Sequence, residues 1–170
     1  MQLFKLSFFI LILAAFGCKV SSKTAETVSS KPAETAQTVA QQHPGIQFIE
    51  DDWDLALKKA QSEHKLVFID IYATWCGPCK MIKQYTFTDS AVGEFFNKNF
   101  INITIDGEKG VGPQLMQQFA VNAYPTLIVT DDNGKPVLAT EGYLPADYLL
   151  QFANEAVKRN QQQPSLQSQN

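Results

Sequence analysis

The stretch Phe68-Ile69-Asp70-Ile71-Tyr72-Ala73-Thr74-Trp75-Cys76-Gly77-Pro78-Cys79-Lys80 decides how the rest of the chain is read. Its first half, with Leu66 and Val67 ahead of it, is β-rich and almost continuously apolar, the pattern of a central strand covered on both faces. Its second half carries two cysteines separated by Gly-Pro, placed where the strand gives way to a helical stretch predicted from Lys80 to about Tyr85. The first turn of a helix offers unpaired N–H groups and a partial positive charge. Both favour a thiolate on Cys76, and the thiolate is the attacking species. Cys79 stands within one helical turn. It can attack the Cys76 sulfur of a mixed disulfide and release a reduced substrate. Pro78 lacks an N–H, which costs little this early in a helix.

Two other readings of C-x-x-C compete. Half of a zinc site would need about four ligands in all, yet there is no second cysteine pair and His43 and His64 form no H-x₃₋₅-H unit. A purely structural disulfide would close a tiny loop and stabilise little through chain entropy. Asp70 also stands out. A carboxylate inside an apolar strand is costly unless paired or neutralised. Burial would raise its pKa, which suits a proton acceptor for Cys79. A strand-end carboxylate that reaches water is the plainer alternative.

Strands and helices alternate outward from this segment. Ile46–Ile49 reads as a short edge strand. Asp51 or Asp52 caps a helix bearing Trp53, Leu55, Ala56, Leu57 and Ala60 at helical spacing. Downstream, Thr88 or Asp89 caps a helix with Val92, Phe95 and Phe96. Phe100–Ile105 is a strand, and Leu115, Met116 and Phe119 mark a short helix. Thr126–Thr130 and Pro136–Thr140 are strands joined by a turn at Asp132-Asn133-Gly134-Lys135. Tyr148, Leu149, Phe152, Ala153 and Val157 give a final helix its apolar face. The alternation implies one α/β domain with a mixed sheet, over residues 45–159.

The termini read differently. Lys5 precedes an apolar run, Leu6–Phe16, of about eleven residues, whereas a membrane span needs roughly 20. A basic start, a short apolar middle and small residues at its close predict a signal peptide over residues 1–17. The run closes on Ala14-Ala15-Phe16-Gly17-Cys18, which resembles a bacterial lipoprotein cleavage site with Cys18 as the lipidated residue. Ordinary signal cleavage beside an incidental cysteine, or a buried core helix, are the alternatives. Residues 18–44 have no aromatic side chain and are rich in Ser, Thr, Ala, Gln and Lys, the composition of a flexible tether. Its r.m.s. reach would be on the order of 25–30 Å. The Gln-rich residues 160–170 read as a disordered tail. A formal charge of −3 without any basic run argues against a nucleic-acid partner.

The segment Phe68–Lys80 closely resembles the active-site segment of thioredoxins, and Ala123-Tyr124-Pro125-Thr126-Leu127 resembles the cis-proline segment of that family. The resemblance spans Phe48 to Val157. Within it Lys65–Asp89, including Tyr85-Thr86-Phe87-Thr88-Asp89, looks like the periplasmic C-terminal thioredoxin domain of the DsbD reductant conductors. It implies a thioredoxin fold, a central mixed β-sheet flanked by helices. It makes Cys76 the exposed attacking thiol, Cys79 the resolving thiol and Asp70 the proton acceptor. Trp75, Gly77, Pro78, Tyr124 and Pro125 would form the substrate contact surface. Pro125 would be cis, so that the backbone at Tyr124 pairs with an extended substrate segment. A core aromatic at Trp75 and a trans turn proline at Pro125 are the plainer alternatives. Gly142 matches a glycine near the substrate groove, or is a plain strand-end bend. His43 and His64 are expected to be uninvolved.

Many thioredoxins carry a lysine beside the buried aspartate, on the following strand. Asn102 is taken as the matching position here, which predicts a more weakly ionised Asp70 than in that pairing. The resemblance further implies protein thiols and disulfides as substrates, a membrane electron donor, a monomer, and no bound metal or cofactor beyond the Cys76–Cys79 disulfide itself. Together with the lipoprotein-like start, it places the domain in the bacterial periplasm, tied to a membrane. The Gly-Pro dipeptide resembles that of reducing thioredoxins, so a protein disulfide reductase is expected. A disulfide oxidase or isomerase, and a tethered non-catalytic binding or chaperone module, are the alternatives.

Overall fold

The computed structural model describes residues 45–167. The expectations for residues 1–17, Cys18, the 18–44 tether, His43 and the last three residues lie outside them. The chain order is β1 (Ile49–Glu50), α1 (Trp53–Glu63), β2 (Leu66–Tyr72), α2 (Gly77–Met81), a π-helical turn (Ile82–Thr86), α3 (Ser90–Asn99), β3 (Phe100–Asp106), α4 (Gly112–Gln118), β4 (Thr126–Thr130), β5 (Pro136–Glu141) and α5 (Ala146–Gln167). The five strands form one sheet in the order β1-β3-β2-β4-β5. β1, β3 and β2 run parallel, while β4 is antiparallel to both β2 and β5.

β2 is the middle strand, and its residues Leu66 to Ile71 are all buried. Alternation along it separates two cores. Phe68 faces a cluster with Ile82, Phe87, Phe96, Phe100 and Leu149, under α3, α5 and the π turn. Val67, Ile69 and Ile71 face α1 and α4 together with Ala56, Ala60, Ile103 and Leu115. Phe68 packs at 4.7 Å and 69° against Phe96; complete burial of such a side chain contributes about 2–3 kcal/mol.

Local chemistry sets the element ends. The Asp52 carboxylate accepts the Leu55 N–H at 3.0 Å to start α1. Asp89 accepts the N–H groups of Ala91 and Val92, at 2.9 and 3.0 Å, to start α3. Asp131 organises the β4–β5 turn by accepting from the N–H of Asn133 and of Lys135.

Two boundaries depart from the sequence reading. The edge strand holds only Ile49 and Glu50, because the residues before it bond elsewhere: Ile46 N–H to the Phe87 carbonyl and Gln47 N–H to the Asn97 side chain. The last helix continues past Arg159 to Gln167, so residues 160–167 are helical rather than a disordered tail. Glutamine is a good helix former, and its polar character carries no bias against extending a helix that is already nucleated.

Candidate active site

Cys76 caps α2 and Cys79 lies in its first turn. They form a disulfide with S–S 2.06 Å and Cα–Cα 5.3 Å. The Cys79 N–H donates to Cys76 Sγ at 3.1 Å, so the sulfur expected to carry negative charge on reduction already faces an unpaired helix-start donor. The structure corrects the expectation of an exposed Cys76. It is only 2% exposed and Cys79 1%, because Tyr72 and Tyr124 pack against the pair and Ala73. Gly77 and Pro78, by contrast, are exposed. A side chain at Gly77 would meet nothing within 4 Å, so the open approach to the disulfide runs over this dipeptide.

Trp75 is 67% exposed and therefore not a core ring. Its indole N–H donates to Glu108 Oε1 at 2.9 Å, and its ring meets Tyr124 edge-on at 5.8 Å. Glu108 is held in turn: its N–H donates to Asp106 Oδ1, and Asp106 accepts Lys109 Nζ on its other oxygen at 2.6 Å. That ammonium keeps Asp106 below the usual carboxylate range. The Tyr124–Pro125 bond is cis. Pro125 is buried, and its carbonyl accepts the Gly142 N–H at 2.8 Å, with Gly142 at φ +86°. Gly142 thus braces the proline corner. Among the described residues the Tyr124 backbone has no backbone hydrogen-bond partner, which leaves its N–H and carbonyl for an incoming strand. The Tyr124 hydroxyl meets Met116 Sδ at 2.8 Å.

Asp70 is fully buried on the Phe68 face of β2, the face covered by α3, α5 and the π turn. Its Oδ2 accepts the Thr104 hydroxyl at 3.1 Å and lies 3.9 Å from Lys83 Nζ. Its Oδ1 has no hydrogen-bond partner. Burial pushes the carboxyl up from 3.8 to about 6, against the opposing pull of Lys83 and of the Thr104 hydrogen bond.

The role given to Asn102 is overturned by the strand register. Asp70 pairs with Thr104, whereas Asn102 lies opposite Phe68, two residues away. The Asn102 amide donates instead to Asn97 Oδ1 and the Gln47 carbonyl. The cation beside Asp70 comes from the π turn, as Lys83. Sequence reasoning missed Lys83, Thr104 and Glu108. The signal for Lys83 was its position four residues after Cys79, which stacks the two on one helical face. His64 is an exposed left-handed C-cap of α1.

A family model described as a thioredoxin-like domain matches residues 53–156. Among curated relatives, the thiol:disulfide interchange protein DsbD of Actinobacillus pleuropneumoniae is 29% identical over 116 residues, covering 66% of this chain and 20% of that protein. DsbD of Haemophilus ducreyi is 30% identical over 148 residues, covering 85% and 26%. The chain thus spans only about a fifth to a quarter of these relatives. Among solved structures, a Bacteroides thetaiotaomicron protein provisionally assigned as a disulphide-isomerase is 42% identical, with TM-score 0.60, over 66% of this chain and 93% of that one. DsbH oxidoreductase, 17% identical with TM-score 0.57, over 75% and 94%, shares the fold.

Proposed function

This chain belongs to the thioredoxin-like domain family of disulfide oxidoreductases, and from that membership we propose that it reduces protein disulfides outside the cytoplasm. The observation that carries the reading is the Cys76–Cys79 disulfide at the start of α2, beside exposed Gly77, Pro78 and Trp75 and the unpaired backbone of Tyr124. In the reduced protein the Cys76 thiolate attacks a substrate disulfide. A Cys76–substrate disulfide forms and one substrate thiolate leaves. Cys79 gives its proton to Asp70 and attacks Cys76 Sγ, and the second substrate thiolate leaves. Two electrons pass from the cysteine pair to the substrate, and the pair becomes the disulfide. A membrane-bound dithiol protein restores the thiols.

Trp75, Gly77, Pro78, Tyr124 and Pro125 bind the substrate segment. The likeness of residues 1–18 to a lipoprotein start supports attachment to a periplasmic membrane through Cys18. Fractionation of a Cys18→Ser variant checks this: the variant should leave the membrane fraction, and its retention there would rule the lipid out.

Isomerase or oxidase activity is the second reading, favoured by the Bacteroides relative. The reduction potential separates the two. A value near that of thioredoxin, about −270 mV, is expected for a reductase, and one near about −120 mV would make the protein an oxidant. A Cys79→Ala variant should accumulate mixed disulfides through Cys76; failure to trap any protein would remove the proposed exchange.

A further inference from the structure

The chain has three methionines, Met1, Met81 and Met116, and Met116 is joined to the cis-proline corner. It lies in α4, away from the helix that carries the sulfur pair. Its Sδ accepts the Tyr124 hydroxyl at 2.8 Å. A thioether is a weak acceptor, so the far end of the ring is held lightly and without charge. The surroundings are full. A Cβ on Gly107 would stand 2.6 Å from the Tyr124 hydroxyl oxygen and 2.8 Å from both Met116 Sδ and Tyr124 Cε1. Met116 itself is half-buried, within reach of a small solute. Tyr124 in turn touches what the exchange uses. Its ring packs against the cysteine pair and meets Trp75 edge-on at 5.8 Å, and its carbonyl carbon enters the cis bond to Pro125.

We propose that Met116 is an oxidative modification site that switches the substrate corner through Tyr124. The inference rests on the reading that Tyr124 forms part of that corner. The oxidant is hydrogen peroxide. A lone pair of Met116 Sδ attacks one peroxide oxygen, an S–O bond forms and the O–O bond breaks. The second oxygen leaves as water with both peroxide protons. The sulfur loses two electrons and the peroxide gains them, so no further reactant is needed. The sulfoxide makes an apolar side chain polar and bulkier, in a place where the Tyr124 hydroxyl and Gly107 already crowd the sulfur. The hydroxyl must back away to donate to the new oxygen, and the ring leaves Trp75 and the cysteine pair with it. A protein segment then loses its seat at Tyr124. The two sulfurs, now 2% and 1% exposed beneath Tyr72 and Tyr124, open to a small thiol. Met81 lies outside this corner, 47% exposed on α2. Methionine sulfoxide is reversed enzymatically, so the switch can be reset.

The test treats the full chain with hydrogen peroxide while Cys76 and Cys79 are held as the disulfide. Peptide mass spectrometry then locates the added oxygen. After the peroxide is removed, two rates are measured: reduction by dithiothreitol, and single-turnover exchange of the reduced protein with insulin. Oxygen should appear on Met116, and insulin exchange should slow about tenfold, well inside the loss that an ångström of misplacement brings. Reduction by dithiothreitol should not slow. A methionine sulfoxide reductase should restore the insulin rate. Met116→Leu, a swap that cores tolerate, should keep that rate through the treatment, whereas Met81→Leu should lose it as the parent does. If Met116→Leu misfolds, rescue by the sulfoxide reductase in the Met81→Leu chain decides in its place. Met116 left unoxidised while Met81 is converted, an oxidised parent that exchanges at full rate, or protection by Met81→Leu would each overturn the proposal. The carbon-13 shifts of the Tyr124 ring are read in the disulfide form, without any exchange. Ring carbons that stay put on oxidation would sink this inference, whereas an untreated chain that exchanges with no protein disulfide would sink the functional reading.

Discussion

At the scale of single residues, Asp70 is a liability to stability once it ionises. Its carboxyl is raised from 3.8 to about 6 chiefly by burial, so the folded chain holds that proton more tightly than the unfolded chain. The contribution is fully present below about pH 4 and is lost as pH rises through about 6. Above that, a buried charge remains with one cation near it but not hydrogen-bonded to it. Asp70→Asn keeps an oxygen for the Thr104 hydroxyl and removes the charge. It should stabilise the protein at pH 8 by up to about 3 kcal/mol and flatten the fall in stability between pH 4 and 6, as read by urea unfolding across pH. The same variant should slow resolution at neutral pH by about 10²-fold. An Asp70→Asn protein no more stable than the parent at pH 8 would show the site to be better solvated than its burial implies.

At the scale of elements, the site is assembled by the turn between β3 and α4 as much as by the helix that carries the sulfurs. Gly107 donates its N–H to the Tyr72 carbonyl at 2.8 Å. A Cβ there would stand 2.6 Å from the Tyr124 hydroxyl and 2.8 Å from Met116 Sδ. Gly107→Ala should therefore cost about 1–3 kcal/mol and push Tyr124 off the cysteine pair, slowing exchange with a protein substrate; unchanged kinetics would separate Tyr124 from the substrate surface. β2, the cysteine turn and the cap sites, read as Asp51 or Asp52 and as Thr88 or Asp89, were legible in the sequence because each is decided by neighbours within a few residues; the structure picks Asp52 and Asp89. Asp70's partners were not legible. Whether Asn102 or Thr104 faces Asp70 depends on a shift of two residues between β2 and β3, and both choices put a polar side chain on the same face. Lys83 reads in isolation as an ordinary solvent-facing charge. Glu108 meets Trp75 only because β3 lies beside β2, a pairing across 33 residues of chain.

At the scale of the whole molecule, the α/β mixed-sheet class was legible from the alternation of apolar runs. The end of the last helix was not, since a Gln-rich segment has the composition of a tail and also the propensity to prolong a helix. The two tryptophans of the chain stand in different surroundings. Trp75 is exposed and precedes Cys76 directly in the chain, while Trp53 packs edge-on against Phe119, 6.1 Å away, against the core that α1 covers. A sulfur–sulfur bond drains light from an excited indole beside it and has no such hold on a distant one. Reducing the protein should thus brighten Trp75 in a Trp53→Phe background and leave Trp53 unaltered in a Trp75→Phe background, whereas denaturant should shift the colour of Trp53. Two lamps in one chain would report electron transfer and unfolding separately, with no dye attached.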